Sequence, residues 1–161
     1  MNQNARERIF SSIEKLLLYL GDNQERKKVI FTNGCFDILH IGHLRSLEEA
    51  KSLGDILIVG VNSDQSVRKL KGEKRPIISE TERAELIAGL WCVDYVFIFD
   101  EDTALDSLRK LKPNLYFKSA DYSIEKTVEG QYAIKNGIRL YSANYYNGLS
   151  TSSIINKIAK Q

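Results

Sequence analysis

From Val29 onward the apolar positions switch repeatedly between a strand period and a helix period. Val29-Ile30-Phe31-Thr32 is a short apolar run that stops at Asn33-Gly34, the pattern of a strand followed by a turn. Leu44, Leu47, Ala50 and Leu53 then recur at helical spacing, and Gly54 closes that stretch. Ile56 to Val61 is nearly unbroken in apolar character, as expected of a strand covered on both faces. Ser79, with Glu82 three residues on, predicts a capping box that opens a helix. Val93 to Phe99 predicts a strand, and Asp102-Thr103 the start of a helix that runs to Leu111 ahead of Pro113. Leu115 to Phe117 and Ile138 to Tyr141 read as strands, with a helix from Glu125 to Asn136 between them that Gly137 stops. Thr151 to Ala159 predicts a terminal helix. Ahead of all these, Ile9, Ile13, Leu16, Leu17 and Leu20 predict one amphipathic helix ended by Gly21-Asp22-Asn23.

Five strands separated by helices imply a parallel sheet with right-handed crossovers, the doubly wound α/β architecture. Ligands in such sheets sit beyond the carboxyl ends of the strands, where the strand order reverses. Asn62 to Ser79 reads as a polar loop crowded with cations. No repeat, low-complexity stretch or dividing linker is visible.

Composition narrows the class. With 161 residues, 43% of them hydrophobic and 27% charged, the chain suits one domain with a real core rather than a disordered or disulfide-stapled chain. A net charge of +2 argues against a dedicated nucleic-acid partner. Cys35 and Cys92 are too few for a disulfide framework and fit a reducing cytoplasm. Leu16 to Leu20 is too short to span a membrane and, behind Glu14 and Lys15, badly flanked for a signal peptide. The most informative count is the smallest: the histidines number 2, His40 and His43.

Both lie in Thr32-Asn33-Gly34-Cys35-Phe36-Asp37-Ile38-Leu39-His40-Ile41-Gly42-His43, where the first strand meets a helix. Gly34 permits close backbone approach to a ligand. Imidazoles three residues apart at a helix start face the same side, and Gly42 between them leaves room for a bulky group. The helix end favours an anion. Together these suit phosphoryl or nucleotidyl transfer, in which catalysis is mostly positioning and electrostatics. A zinc site of His40, His43 and Asp37 is the other candidate, but helical zinc motifs space their histidines four apart around a Glu, which is missing here. Cys35 is a small residue at a tight turn.

Arg68, Lys69, Lys71, Lys74 and Arg75 place five cations within eight positions. They form either a solvated or weakly RNA-binding loop or a phosphate clamp, and the loop's exit at the sheet edge of His40 favours the clamp. Gly148-Leu149-Ser150-Thr151-Ser152-Ser153 supplies an N-cap to the last helix and hydroxyls for a phosphate. The bland reading of Arg83 is an ion pair with Glu80 or Glu82, and Asp37 is expected to orient its turn or bind an acceptor.

Asn33 to His43 resembles the signature of the HxGH nucleotidyltransferases, and the likeness extends over nearly all the chain from Val29. Supporting stretches are Val61-Asn62-Ser63-Asp64, Leu70 to Pro76, Glu82-Arg83, Val93-Asp94, Glu101-Asp102-Thr103 and Gly148 to Ser152. The resemblance is strongest to the branch that makes ADP-heptose. It implies a Rossmann-like, HUP-type domain over 29–161 behind an N-terminal helical extension over 1–28. It implies transfer of AMP from ATP to D-glycero-β-D-manno-heptose 1-phosphate, with Mg²⁺ held mainly by the phosphates and no protein metal site. It further implies a cytoplasmic stand-alone form without the sugar kinase domain, no membrane or nucleic-acid partner, and a homodimer that uses the spare apolar surface of the N-terminal helix. His40, His43 and Lys71 would be catalytic. Asn33, Gly34, Cys35, Phe36, Gly42, Ser150, Thr151 and Ser152 would bind nucleotide, with Tyr145 and Tyr146 bordering the base. Asp37, Arg75, Lys118 and Asp121 would bind the acceptor, and Arg83 would reach the edge of the active site.

Two departures stand out. The heptose enzymes carry Lys-Gly-Gly-Asp-Tyr where this chain has Lys118-Ser119-Ala120-Asp121-Tyr122, which alters the loop beside the acceptor. The similar glycerol-3-phosphate cytidylyltransferases carry Arg-Thr-Glu-Gly where this chain has Tyr145-Tyr146-Asn147-Gly148, which favours ATP over CTP.

Overall fold

The computed structural model describes residues 4–21, 27–118, 123–143 and 150–160. Its strands are β1 (Ile9–Phe10), β2 (Val29–Gly34), β3 (Ile56–Asn62), β4 (Tyr95–Phe99), β5 (Leu115–Lys118) and β6 (Arg139–Ser142). Its α-helices are α1 (Ile13–Leu20), α2 (Ile41–Ser52), α3 (Asp64–Lys71), α4 (Glu80–Ala88), α5 (Leu105–Leu111), α6 (Val128–Lys135) and α7 (Thr151–Ile158). All six strands are parallel, in the order β1-β4-β3-β2-β5-β6. The order reverses between β2 and β5, so the crevice at their carboxyl ends is where a ligand is expected.

Helices cover both faces. Val29, Phe31, Ile58, Phe97 and Tyr116 point to the side of α1, α5 and α6, among Leu16, Leu20, Leu108 and Ala133. Ile30, Leu57, Val59, Leu115 and Phe117 point to the side of α2 and α4, among Leu47, Ala50, Ala84 and Ile87. Alternate strand residues thus enter opposite layers, which is why β2 and β3 are apolar until Thr32-Asn33 and Asn62 near their carboxyl ends.

The structure corrects several sequence expectations. The sheet has six strands rather than five, because Ile9 and Phe10 leave the expected helix and pair with Val96 and Phe97 of β4. The guanidinium of Arg8 donates to the carbonyls of Ala88 and Val93, and Ser12 caps the shortened helix by accepting from Lys15 N. The first part of the polar stretch after β3 is helix α3 rather than loop. Ser63 Oγ caps it by accepting from Ser66 N at 3.2 Å, and Gly72, at φ 96°, ends it. Its apolar periodicity rests on little more than Val67 and Leu70, whereas its cap signal, Ser63-Asp64, is plain. Helix α5 starts at Leu105, just after the expected Asp102-Thr103; Thr103 Oγ1 accepts from Leu105 N at 3.5 Å, and Glu129 Oε1 accepts from Ala104 N at 3.2 Å. The expected helix from Glu125 divides into a 3₁₀ turn, Ile124–Lys126, and α6, which Thr127 caps. Gly130 is required there, since a Cβ would lie 1.8 Å from the Ile124 carbonyl oxygen.

Candidate active site

The turn between β2 and α2 runs from Gly34 to His40. Phe36 adopts the left-handed region at φ 49°, rare for a bulky residue and a mark of a constrained turn. Its ring covers Gly34, whose Cβ would meet it at 3.1 Å, and sits edge-on to His43 with centroids 5.3 Å apart.

The two histidines cap α2 reciprocally. His40 Nδ1 accepts from Gly42 N at 3.1 Å, and His43 Nδ1 accepts from His40 N at 3.4 Å. Their rings stack with centroids 3.8 Å apart and an interplanar angle of 25°. With both Nδ1 atoms accepting, each neutral ring carries its proton on Nε2 and offers one N–H donor. Burial lowers both imidazoles below their ordinary range, and burial with the neighbouring His40 brings His43 to about 4. The rings are therefore neutral donors at pH 7. Gly42 N–H is taken by His40, so part of the polarity of the helix end reaches outward through an imidazole.

Asp37 orients the turn. It is 1% exposed, pairs with Arg75, and accepts from Ile77 N at 2.7 Å and Ile78 N at 2.9 Å through Oδ1. These bonds occupy both of its oxygens and speak against the zinc arrangement. Among the described residues no group of His, Cys, Asp and Glu is placed to hold a metal ion. Arg83 is fully buried and pairs with neither Glu80 nor Glu82. It donates to the Cys35 carbonyl, to Ile78 O at 2.9 Å and to Asp64 Oδ1 at 2.8 Å, so it ties the β2–α2 turn to α3 and to the loop before α4. The sequence signal for this role was Arg83 on the face of α4 that is otherwise apolar, with Ala84, Ile87 and Ala88.

The five cations do not act together. Lys69 turns to Asp102 at 3.5 Å, Arg75 is spent on Asp37, and Arg68 and Lys74 are exposed. Lys71, exposed at the end of α3, exerts its charge on both Cys35 and Lys118. Burial pushes the Cys35 thiol up against the opposing pull of Lys71, Arg83, Lys118 and Arg75. The thiol is thus neutral, as fits a small turn residue; with Arg75 and Arg83 paired to Asp37 and Asp64, it is Lys71 and Lys118 that make this turn a place for an anion.

At the end of β5, Lys118 Nζ donates to Asn33 Oδ1 at 3.2 Å, and the Tyr116 hydroxyl donates to the same oxygen at 2.8 Å. Burial lowers Lys118 and raises Tyr116. Helix α7 joins from the far end of the chain: Thr151 Oγ1 donates to Ile38 O at 3.5 Å, and Ser150 Oγ accepts from Ser153 N at 3.1 Å. The structure thus gathers Asn33 to His43, Lys71, Lys118 and the start of α7 at one edge of the sheet, with Gly42 buried and Ser152 exposed. Asp121, the Ser119-Ala120 departure, Tyr145, Tyr146 and Gly148 lie outside the described residues.

The cavity near 680 Å³ lined by Lys28, Lys112, Tyr132 and Arg139 lies at the opposite, amino-terminal end of the strands, away from the histidines.

A family model described as cytidylyltransferase-like matches residues 31–157. The chain is 53% identical over 137 residues to the bifunctional protein HldE of Citrifermentans bemidjiense, covering 85% of this chain and 28% of that protein. It is 50% identical over 148 residues to the bifunctional protein HldE of Helicobacter pylori, covering 92% of this chain and 31% of that protein. The chain therefore spans less than a third of the length of these relatives. The crystal structure of the lipopolysaccharide core biosynthesis protein from Thermoplasma volcanium superposes with a TM-score of 0.65 at 29% identity, covering 75% of this chain and 99% of that one. The pantoate-beta-alanine ligase of Francisella tularensis shares the fold, with a TM-score of 0.60 at 16% identity over 95% of this chain and 79% of that one.

Proposed function

The chain belongs to the cytidylyltransferase-like family, and on that premise we propose that it transfers AMP from ATP to a sugar 1-phosphate and releases pyrophosphate. The observation that carries this reading is the stacked pair of neutral imidazoles, each with Nδ1 spent on the helix start and Nε2–H left to donate. An acceptor phosphate oxygen attacks the α-phosphorus, a new P–O bond forms, and the bond to the bridging oxygen breaks in line to free pyrophosphate. Charge grows on the equatorial and leaving oxygens, where N–H donors and cations stabilise it more than they stabilise the ground state. His40 and His43 supply donors, and Lys71 supplies charge. Asn33, Gly34, Cys35, Phe36, Gly42, Ser150, Thr151 and Ser152 line the nucleotide's path. Mg²⁺ comes with the triphosphate, since Asp37, the carboxylate of the motif, already has both oxygens engaged.

The sugar acceptor, D-glycero-β-D-manno-heptose 1-phosphate, follows from the resemblance. The Thermoplasma relative, described as a lipopolysaccharide core biosynthesis protein, supports it. By the same resemblance Asp37, Arg75, Lys118 and Asp121 bind the acceptor. The enzyme works as a cytoplasmic homodimer. No described helix is long and apolar enough to cross a membrane, and Leu18, 86% exposed on α1, is apolar surface for a second copy. Light scattering should give the mass of a dimer.

The deciding test is pyrophosphate release with ATP or CTP, each offered heptose 1-phosphate or glycerol 3-phosphate. Release with ATP and the heptose phosphate is expected. Release only with CTP overturns the choice of nucleotide, and release with no combination overturns the transfer reaction.

A further inference from the structure

Asn33 is the last polar side chain of β2 before the nucleotide turn, and its carboxamide has two unlike ends. The oxygen accepts a hydrogen bond; the nitrogen donates two. Which end faces the crevice decides whether Asn33 attracts or repels an anionic ligand.

The structure answers this from below. Strand register places Phe31 beside Tyr116. Since alternate residues share a face, Phe31, Asn33, Tyr116 and Lys118 all point to one side of the sheet. Tyr116 is fully buried, its ring stacked on Phe31 with centroids 5.7 Å apart. A phenylalanine would fill the same space, so core packing does not account for the hydroxyl. That hydroxyl reaches Asn33 Oδ1 at 2.8 Å, and Lys118 Nζ reaches the same oxygen at 3.2 Å. An ammonium only donates, so the atom that faces it is the oxygen. The Tyr116 hydroxyl then donates as well. Burial, with the charge of Glu129, raises its pKa, so it keeps its proton throughout the neutral range. Two donors on Oδ1 turn Nδ2 away from the sheet, and among the described residues Nδ2 has no partner.

We infer that Tyr116 is a positioning residue: it locks the Asn33 carboxamide so that Nδ2–H₂ faces the phosphate-bearing ligand at the β2–β5 crevice. Were the amide to turn over, Oδ1 would confront the phosphate and Nδ2 the lysine, both unfavourable. The inference rests on the proposed reaction only in taking the ligand to carry phosphate. Either substrate supplies one, and separate titrations tell the two sources apart.

The test uses Tyr116→Phe, Asn33→Ala and the double variant in the full chain. In the wild-type background, Tyr116→Phe should raise KM roughly tenfold, the scale of a misdirected hydrogen bond to a charged group. The rise should fall on one substrate, ATP or the sugar phosphate, with kcat within about twofold. In the Asn33→Ala background it should add nothing to KM. An equal KM rise in both backgrounds overturns the inference and assigns the hydroxyl a structural part. A binding arm reads the same point without turnover: inorganic pyrophosphate is titrated while the Asn33 side-chain amide is followed by NMR. In the wild type the two amide proton signals should shift, and in Tyr116→Phe the shift should shrink. Amide signals that ignore pyrophosphate in the wild type overturn the inference, even if neither variant folds. Failure of the reaction itself shows separately, as wild-type protein that binds pyrophosphate and turns over no acceptor.

Discussion

Arg83, fully buried, donates Nη2 to Asp64 Oδ1 at 2.8 Å across the gap between α4 and α3. Its other nitrogens hold the Cys35 and Ile78 carbonyls. One guanidinium therefore sets the spacing of three segments that frame the site. Removing it leaves Asp64 without its buried partner and two carbonyls without donors. Arg83→Met should destabilise the protein by about 3–5 kcal/mol in urea denaturation. A loss below about 1 kcal/mol would show that the three segments hold without it.

Asp37 plays the matching part on the other side of the turn. Asp37→Asn keeps an oxygen for the Ile77 and Ile78 amides but loses the charge that holds Arg75. Stability should fall by about 2 kcal/mol, the scale of a buried charged hydrogen bond lost, and KM for the acceptor should rise. A KM shift confined to ATP would place the Arg75 loop on the nucleotide side instead.

The histidines make stability depend on pH. Burial holds His43 at about 4 in the folded protein, below the ordinary value of 6.5 that it regains on unfolding. A depressed folded value means that the stability is fully present above pH 6.5 and is lost as the pH falls toward 4, because the unfolded chain binds the proton first. Relative to His43→Asn, the wild type should lose up to about 3 kcal/mol across that window. Comparing the two variants removes the contribution of carboxylates such as Glu14, held at about 2 by its bonds to Lys110 and Ser12. Parallel stability curves for the two would show that His43 is not buried neutral.

Most of the fold was legible because the apolar periods of the central strands are strong and their caps and stops are ordinary. Ser79 caps α4 through Glu82 as its spacing says, and Gly137 stops α6 at φ 71°. The errors cluster where local pattern and tertiary contact disagree. Ile9 has helical spacing with Ile13, yet an open sheet edge at β4 claims it, and a two-residue strand leaves little trace in a sequence. Helix α3 was hidden by its charge. The histidines were legible as a pair, because their spacing at a helix start leaves few alternatives. Their mutual capping was not, since it depends on ring orientation. The split of the cation cluster, with Lys69 on Asp102 and Arg75 on Asp37, depends on partners 33 and 38 residues away that no local pattern reveals. Tyr116 escaped notice for the same reason: its sequence neighbours mark it as core, and only the register with β2 brings its hydroxyl to Asn33.

The central claim is that the Nε2–H donors of the histidine pair stabilise the transferring phosphate. Asparagine at position 43 retains an oxygen where Nδ1 accepts from His40 N, but it has nothing in place of Nε2–H. The most direct measurement is the pyrophosphate-release turnover of His43→Asn, at saturating ATP and sugar phosphate and pH 7.5. Loss of one such donor predicts a fall in kcat of about 10²–10³-fold, with the fold intact by circular dichroism. A folded His43→Asn protein that turns over at the wild-type rate would contradict the account.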